Sequence, residues 1–334
     1  MKKFKIGIVG GSGYIGSALA DYLSKAFKVK VLDKSPLPKE MDNEDIEHQF
    51  CDILKYEELK QGLKDVDAVI HTAIVQIPLI NEQKKLGYKV NLIGTQNVCE
   101  VVETSPSIKC MILSGTWHVF GEKQLEGIIN EEFGFRPDKV EDRARLYAIS
   151  KMAQELIVRF YDEMSEKIYG VVRMGTVLGD RMPEKTAANI FISSGLKGKA
   201  ITPFKHTMYR PMLYVDITDV CEVFETYILK TLDEKICAEK NSLAHIVNLC
   251  WPQPLTIIEL SKVIRETIVR LSKGKIKPRI EIADTEKTAL FTAKDKEIIS
   301  VDLSKLQQLL GLKKLISPRK SIEHIVQLRL HSET

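Results

Sequence analysis

The chain has 334 residues, 44% of them hydrophobic, so it is long enough to bury a large core and to form two domains. Its 49 Lys and Arg residues against 45 Asp and Glu leave a net charge of +4, too small to indicate a nucleic-acid partner, and no run of 18 apolar residues predicts a membrane span. Six scattered cysteines without a Cys-x-x-Cys pair and seven dispersed histidines predict reduced thiols, a cytoplasmic location and no metal site.

Short β-branched runs alternate with helical patterns through the first half of the chain. This alternation is typical of a parallel, doubly wound sheet, and it loosens beyond residue 175 into a smaller α+β part. Strands are predicted at 4–9, 28–32, 67–73, 108–113 and 168–174, and helices from about 14 and at 55–63, 83–103, 143–165, 216–231, 255–271, 302–310 and 318–330. We therefore expect an α/β fold with a Rossmann-type domain over 1–174, to which 212–248 contributes, and a substrate-binding domain over 175–211 and 249–334.

A glycine-rich turn, "GGSGYIG", joins the first strand to the first helix. Gly11, Gly13 and Gly16 satisfy G-x-G-x-x-G, and Gly10, Gly13 and Gly16 satisfy G-x-x-G-x-x-G. In either spacing one glycine allows a tight turn, another lets a pyrophosphate approach the backbone, and the third lets the helix pack closely on the strand. The turn therefore predicts a dinucleotide site, with the helix N-terminus facing the phosphates.

The end of the second strand predicts which dinucleotide binds. Asp33 lies 20 residues after Gly13, where a carboxylate accepts hydrogen bonds from both hydroxyls of an adenosine ribose and repels a 2′-phosphate. This position favours NAD as the cofactor. The adjacent Lys34 leaves NADP open as the less favoured alternative.

A second pattern, "YAISK", begins the long helix after the fourth strand. Tyr147 and Lys151 are four residues apart and share a helical face, where an ammonium favours the phenolate and so suits proton transfer to or from a hydroxyl. Tyr56 and Lys60 match the same spacing, but they lie on an early helix on the adenine side of the sheet. Position therefore favours Tyr147 and Lys151 as catalytic residues.

With these motifs the chain resembles the extended short-chain dehydrogenase/reductase superfamily, specifically the NAD-dependent epimerase/dehydratase family and its nucleotide-sugar epimerases. The resemblance runs nearly end to end. It rests on "GGSGYIG", "LDK" (32–34), "CDI" (51–53), "VIHTA" (69–73), "VNLIGTQNV" (90–98), "LSGTWHVFG" (113–121), "YAISK", "VVRMGTVLG" (171–179), "RPMLYVDITDV" (210–220) and "VNLC" (247–250).

This resemblance implies the remaining cofactor contacts. Asp52 and Ile53 are expected beside the adenine, Thr72 and Ala73 beneath the phosphates and ribose, and Asn91 on a helix facing the active site. It also implies a homodimer formed by the helices at about 83–103 and 143–165. The full expected cofactor set is Gly10, Gly13, Tyr14, Ile15, Gly16, Asp33, Asp52, Ile53, Thr72, Ala73, Asn91, Tyr147 and Lys151.

The stretch "SGTWHVFG" bears on the chemistry. Thr116 takes the position of the family's catalytic Ser or Thr, so the resemblance implies a catalytic set of Thr116, Tyr147 and Lys151. Trp117 and His118 follow, where sugar 4,6-dehydratases of the family carry Asp or Ser and then Glu. Without that carboxylate we expect epimerisation or simple oxidation rather than dehydration or decarboxylation. His118 as a substitute acid or base remains an alternative to a merely packed or exposed histidine.

The substrate residues leave three readings open. Arg210 matches an arginine that binds the diphosphate in many nucleotide-sugar enzymes, whereas Thr176 replaces the asparagine that usually contacts the same phosphates. The favoured interpretation is an NAD-dependent nucleotide-sugar epimerase, similar to UDP-glucose 4-epimerase, with Thr116, Thr176 and Arg210 at the substrate. The alternatives are an NAD(P)-dependent dehydrogenase or reductase of another hydroxyl compound, and a non-enzymatic sensor that keeps the fold and cofactor.

Overall fold

The computed structural model of the chain describes residues 4–39, 41, 43–312 and 314–332 and has a seven-stranded parallel sheet at its centre. The strand order is β3-β2-β1-β4-β5-β7-β11, so the chain reverses direction across the sheet between β1 and β4. Ligands of open α/β sheets bind beside such a reversal, at the carboxyl ends of the strands. The strands of this sheet are β1 Lys5–Val9, β2 Lys28–Asp33, β3 Ile46–Phe50, β4 Ala68–His71, β5 Cys110–Thr116, β7 Ile168–Met174 and β11 Ile246–Leu249.

Helices cover both faces of the sheet. Buried residues of α1, α8 and α10 pack on one face, and those of α2, α5 and α6 pack on the other. Both faces bury nearly continuous apolar strands, as a parallel sheet requires. The helices are α1 Tyr14–Ser24, α2 Tyr56–Gly62, α3 Leu79–Glu82, α4 Lys84–Tyr88, α5 Thr95–Thr104, α6 Arg145–Met164, α7 Ala187–Leu196, α8 Ile217–Leu232, α9 Ile257–Leu271, α10 Ser304–Leu310 and α11 Pro318–Ser332.

A third apolar cluster lies beyond the carboxyl edge of the sheet. Ile192 of α7, Ile264 of α9 and Ile325 of α11 pack there in one cluster with Trp117 and Val140. The cluster therefore ties the C-terminal helices to the segments that follow β5. Three short pairings complete the strands of the described residues: β6 Gly127–Ile129 with β13 Ile299–Val301, β8 Thr176–Leu178 with β10 Tyr214–Asp216, and β9 Pro211–Met212 with β12 Leu255–Thr256.

The predicted doubly wound parallel sheet is confirmed, and the differences in detail have local causes. β3 was not predicted because it is an edge strand whose side chains are mostly polar and partly exposed. α7 was not predicted because its small and apolar residues carry a weak periodic pattern. The helix expected at 83–103 is divided into α4, a π-helical turn over Lys89–Gly94 and α5.

The part of the chain that the structure describes contains neither a membrane-spanning helix nor a cluster of metal ligands. None of the helices there combines the length and the apolar character that crossing a bilayer requires. The same residues contain no group of three or more His, Cys, Asp or Glu side chains placed to hold a metal ion.

Candidate active site

The glycine turn between β1 and α1 has the geometry that its spacing predicts. Gly10 has φ +83°, and a Cβ there would lie 2.4 Å from the backbone nitrogen of Ala73. A Cβ on Gly16 would lie 2.5 Å from the carbonyl oxygen of Gly10, so this glycine allows α1 to sit against the turn. A Cβ on Gly13 would meet only the Gly10 oxygen, at 3.5 Å. Gly13 thus leaves space at the helix N-terminus, and as the N-cap residue it places no side chain on the first-turn N–H groups.

Asp33 lies at the end of β2, directly across from this turn. Its Oδ2 accepts a hydrogen bond from the backbone N–H of Ser12 at 3.0 Å, and its Oδ1 accepts one from the backbone N–H of Ser35 at 2.9 Å. These bonds fix the carboxylate beside the glycine turn. Lys34 lines the same cleft, and its Nζ pairs there with Oδ2 of Asp52 at 3.1 Å.

A cleft of about 650 Å³ runs from the glycine turn to the start of α6. Ser12, Ser35 and Ser114 line it and were not singled out from the sequence. The predicted residues that line it are Gly10, Gly13, Tyr14, Ile15, Gly16, Asp33, Asp52, Ile53, Thr72, Ala73, Thr116, Tyr147, Lys151 and Thr176. Asn91 and Arg210 are not among its lining residues, and neither are Tyr56 and Lys60.

Asn91 lies behind the cleft and holds its wall. The side chain is fully buried; its Oδ1 accepts a hydrogen bond from the backbone N–H of Val75, and its Nδ2 donates to the carbonyl of Val75 and to Oγ of Ser150. Both ends of the amide are therefore used inside the protein. Asn91 therefore joins the wall of the cleft at Val75 to Ser150 of α6, and Ser150 follows Tyr147 by three residues.

Thr116, Tyr147 and Lys151 come together at the far end of the cleft. Thr116 is the last residue of β5, whereas Tyr147 and Lys151 lie one turn apart on α6. The ammonium of Lys151 donates a hydrogen bond to the carbonyl oxygen of Ser114 at 2.7 Å. The three side chains line the cleft together, beside the carboxyl edge of the sheet.

Burial changes the proton affinity of two of these groups. It lowers the pKa of Lys151 to about 7, although the nearby carboxylate of Glu155 acts in the opposite direction. It also raises the pKa of Tyr147, an effect that a hydrogen bond with Thr116 partly offsets. Perturbed pKa values that converge in a cleft are typical of catalytic sites.

The two residues after Thr116 have separate environments. The indole N–H of Trp117, which is buried, donates to Oγ1 of Thr176 at 3.3 Å. His118 lines the cleft, its Nδ1 lies 3.1 Å from Oγ1 of Thr116, and its Nε2 lies 3.6 Å from Oε1 of Glu122. Glu122 was not singled out from the sequence, although its spacing of four from His118 is a signal that could have indicated it.

Arg210 is close enough to His118 to lower its pKa, and it is already paired. It is 7% exposed, and its guanidinium forms an ion pair with Oε1 of Glu141, whose Oε2 accepts a hydrogen bond from Nε of Arg143 at 2.8 Å. Glu141, which sequence analysis also missed, is therefore held between two arginines. The contact of Arg210 with a diphosphate remains a prediction.

Comparison with known proteins identifies the family of the chain. The model of the NAD dependent epimerase/dehydratase family matches residues 6–237. The chain is 25% identical to a bovine (Bos taurus) sterol-4-alpha-carboxylate 3-dehydrogenase, decarboxylating, over 66% of this chain and 58% of that protein. It therefore spans less than two thirds of that relative.

Two further similarities extend over nearly the whole chain. UDP-glucuronic acid decarboxylase 3 of Arabidopsis thaliana is 23% identical, over 98% of this chain and 90% of that protein. The crystal structure of UDP-glucose 4-epimerase with UDP-glucose from Thermotoga maritima superposes with a TM-score of 0.76 and 20% identity, and covers 99% of this chain and 100% of that chain. This structural likeness shows the shared fold. Because the family model covers more than half of the residues, the chain belongs to the NAD dependent epimerase/dehydratase family.

Proposed function

We propose that this protein binds NAD in the cleft and interconverts nucleotide sugars by transient hydride transfer at a hydroxyl-bearing carbon. The observation that carries the proposal is the placement of Thr116, Tyr147 and Lys151 at one end of a cleft whose other end is the glycine turn. Open N–H groups at α1, the space at Gly13 and the fixed carboxylate of Asp33 fit a dinucleotide with a free ribose 2′-hydroxyl.

Each catalytic side chain has a distinct task in this proposal. NAD, when bound, supplies the acceptor and donor of hydride. Tyr147 takes the proton of the reacting hydroxyl at its phenolic oxygen, and Thr116 holds that hydroxyl by a hydrogen bond. Lys151 stabilises the phenolate by its positive charge. A diphosphate anion bound in the same cleft favours the charged form of Lys151, because it raises the pKa of Lys151 above its value of about 7.

A nucleotide sugar is the proposed substrate class, and UDP-glucose 4-epimerase-like chemistry is the proposed reaction. Support comes from the family, from the Thermotoga maritima epimerase whose structure contains UDP-glucose, and from the cation of Arg210. The test incubates the protein with UDP- and TDP-hexoses and separates the products chromatographically. Conversion of one hexose into its epimer without added NAD is expected, since an epimerase recycles its cofactor.

Arg210 gives a sharper test of the substrate class. A diphosphate that binds Arg210 must displace the Glu141 carboxylate from Arg210 or share Arg210 with it. Glu141→Gln is therefore expected to tighten UDP binding, and Arg210→Ala to weaken it at least tenfold. Calorimetric titration with UDP measures both effects, and unchanged NAD affinity is the control. Unchanged UDP affinity in both variants would reject a diphosphate site at Arg210.

An NAD(P)-dependent dehydrogenase of another hydroxyl compound is the second candidate. The observation that favours it is the existing ion pair of Arg210 with Glu141, which leaves that cation neutralised without a ligand. The bovine 3-dehydrogenase relative is also consistent with it. Reduction of added NAD by a free alcohol or hydroxy acid, with no conversion of any nucleotide hexose, would establish this candidate instead.

We further infer that residues 175–211 and 249–334 hold the substrate. We also infer that the protein acts as a homodimer. An exposed apolar stripe follows α6 at Ile149, Leu156, Phe160 and Met164, the last two more than 60% exposed. Such a stripe at helical spacing suits burial against a second copy. Light scattering tests this inference: Phe160→Glu is expected to yield monomers, and a monomeric unaltered protein would reject it.

A further inference from the structure

One wall of the cleft is formed by the segment 179–186, which joins β8 to α7. Pro183 and Thr186 of this segment line the cleft, as do Thr176 and Val177 of the preceding strand. Thr176 is one of the predicted substrate residues, so the segment continues the wall at which the substrate is expected. The conformation of 179–186 therefore decides the shape of this end of the cleft.

Arg329, on the C-terminal helix α11, binds the beginning of this segment. Its Nε donates a hydrogen bond to Oδ1 of Asp180 at 2.8 Å, and its Nη2 donates to the backbone carbonyl oxygen of Asp180 at 2.6 Å. One edge of the guanidinium thus fixes both the side chain and the backbone of Asp180. The Arg329 side chain is 18% exposed, so water screens this ion pair only in part.

The third nitrogen of Arg329 acts on the middle of the segment through Asn189 of α7. Nη1 donates to Oδ1 of Asn189 at 2.9 Å and to Oγ of Ser193 at 3.3 Å. Nδ2 of Asn189 in turn donates to the backbone carbonyl oxygen of Met182 at 2.7 Å. A planar guanidinium with five N–H donors suits this set of acceptors, whereas a lysine ammonium lacks the fixed geometry.

An apolar contact holds α11 in place independently of the guanidinium. Met182 is 3% exposed and belongs to the same buried cluster as Ile322, Ile325 and Val326 of α11. Loss of the Arg329 guanidinium therefore leaves the helix packed on the molecule while it removes the hydrogen bonds to the segment. The expected consequence is a looser cleft wall without a detached helix.

We propose that Arg329 is a positioning residue that holds 179–186 in the conformation in which Pro183 contacts the substrate, so that the C-terminal helix sets the affinity of the cleft for its substrate. The inference rests on the proposed function, which supplies a nucleotide sugar as the substrate. Arg329 is not among the lining residues of the cleft and acts through Asp180. It therefore affects substrate binding rather than proton transfer.

The first test requires no substrate and applies trypsin to the NAD-loaded protein. Lys185 is an exposed trypsin site within 179–186, and mass spectrometry of the products measures cleavage after it. In Arg329→Gln we expect this cleavage to be about tenfold faster, because lost charge-assisted hydrogen bonds raise the population of the locally opened segment. Arg319→Gln is the matched control with the wild-type rate, since it removes an exposed arginine of the same helix that pairs with Glu266.

Asp180→Ala distinguishes a contact with the segment from a general effect on α11. This change is expected to accelerate cleavage in the unaltered protein and to have no effect in Arg329→Gln, where the contact is already lost. Wild-type cleavage in Arg329→Gln, equal acceleration in Arg319→Gln, or additive effects of Asp180→Ala and Arg329→Gln would each overturn the positioning role.

The second test follows the reaction with UDP-glucose as the probe. Arg329→Gln is expected to raise KM about tenfold with kcat kept within about twofold, because only substrate binding depends on the wall. NAD affinity stays unchanged, since the glycine turn lies at the other end of the cleft. An unchanged KM would overturn the inference. If the unaltered protein fails to convert UDP-glucose, the proposed substrate is rejected, and the trypsin result alone decides whether Arg329 positions the segment.

Discussion

Two glycines of the turn, Gly13 and Gly16, separate folding from cofactor binding, and alanine at each tests the dinucleotide site. In Gly16→Ala the new Cβ would lie 2.5 Å from the Gly10 carbonyl oxygen and 2.6 Å from the Gly11 Cα. Both are backbone atoms, so α1 must shift. Overpacking of this kind costs about 1–3 kcal/mol of unfolding free energy.

Gly13→Ala is the matched variant with little steric cost. Its Cβ would be 3.5 Å from the Gly10 oxygen, an ordinary contact, and its φ of −72° and ψ of 172° suit alanine. The methyl group instead occupies the open space at the start of α1. If a pyrophosphate binds there, loss of one charge-assisted hydrogen bond costs about 1.5–3 kcal/mol, which weakens NAD binding about 10- to 150-fold.

Urea unfolding and calorimetric titration with NAD measure the two effects. We expect Gly16→Ala to lose stability, and Gly13→Ala to keep the wild-type stability within about 1 kcal/mol while losing NAD affinity. Wild-type NAD affinity in Gly13→Ala would refute the phosphate cradle. Equal destabilisation of both variants would refute the distinction between the two glycines.

Three further predictions concern other residues. Asp33→Asn is expected to reduce the preference for NAD over NADP, measured by titration with both; tighter NADP binding by the unaltered protein would contradict it. Tyr147→Phe is expected to lower kcat about 10²–10⁴-fold with NAD affinity retained, whereas Tyr56→Phe has no effect. Burial raises the pKa of Asp219 to about 7, so the folded state binds the extra proton between pH 3.8 and 7 and loses stability as pH rises through that window. Asp219→Asn, which keeps an acceptor for Ile316 N–H, is expected to gain a few kcal/mol at pH 8 and less at pH 5 by urea unfolding, with Asp233→Asn as the surface control.

The cofactor half of the cleft was predictable because its information is local in the sequence. The turn between β1 and α1 requires glycine at fixed spacing, and Asp33 follows from the end of a strand. Lys151 follows Tyr147 by one helical turn, so sequence spacing alone places both on one face. Thr116 was predicted from the resemblance of the stretch "LSGTWHVFG" to the family.

The substrate half was not predictable in the same way, because its contacts join distant segments. The ion pair of Arg210 with Glu141 depends on how the loop after β5 folds back beside β9. Asn91 was expected at the cleft, but its amide is used by Val75 and Ser150, neighbours that no local pattern specifies. β3 was not predicted, because this edge strand lacks the pattern of apolar residues that a buried strand has.

His118 also limits which reactions the site supports. A carboxylate at this position would present an unpaired base to the carbon beside the reacting hydroxyl, as elimination requires. The imidazole instead has its Nδ1 directed at Thr116, 3.1 Å away, and its Nε2 directed at the buried Glu122. Because both ring nitrogens are directed at side chains of the protein, we infer that proton transfer is confined to the hydroxyl held by Thr116 and Tyr147. That restriction favours epimerisation or oxidation over dehydration.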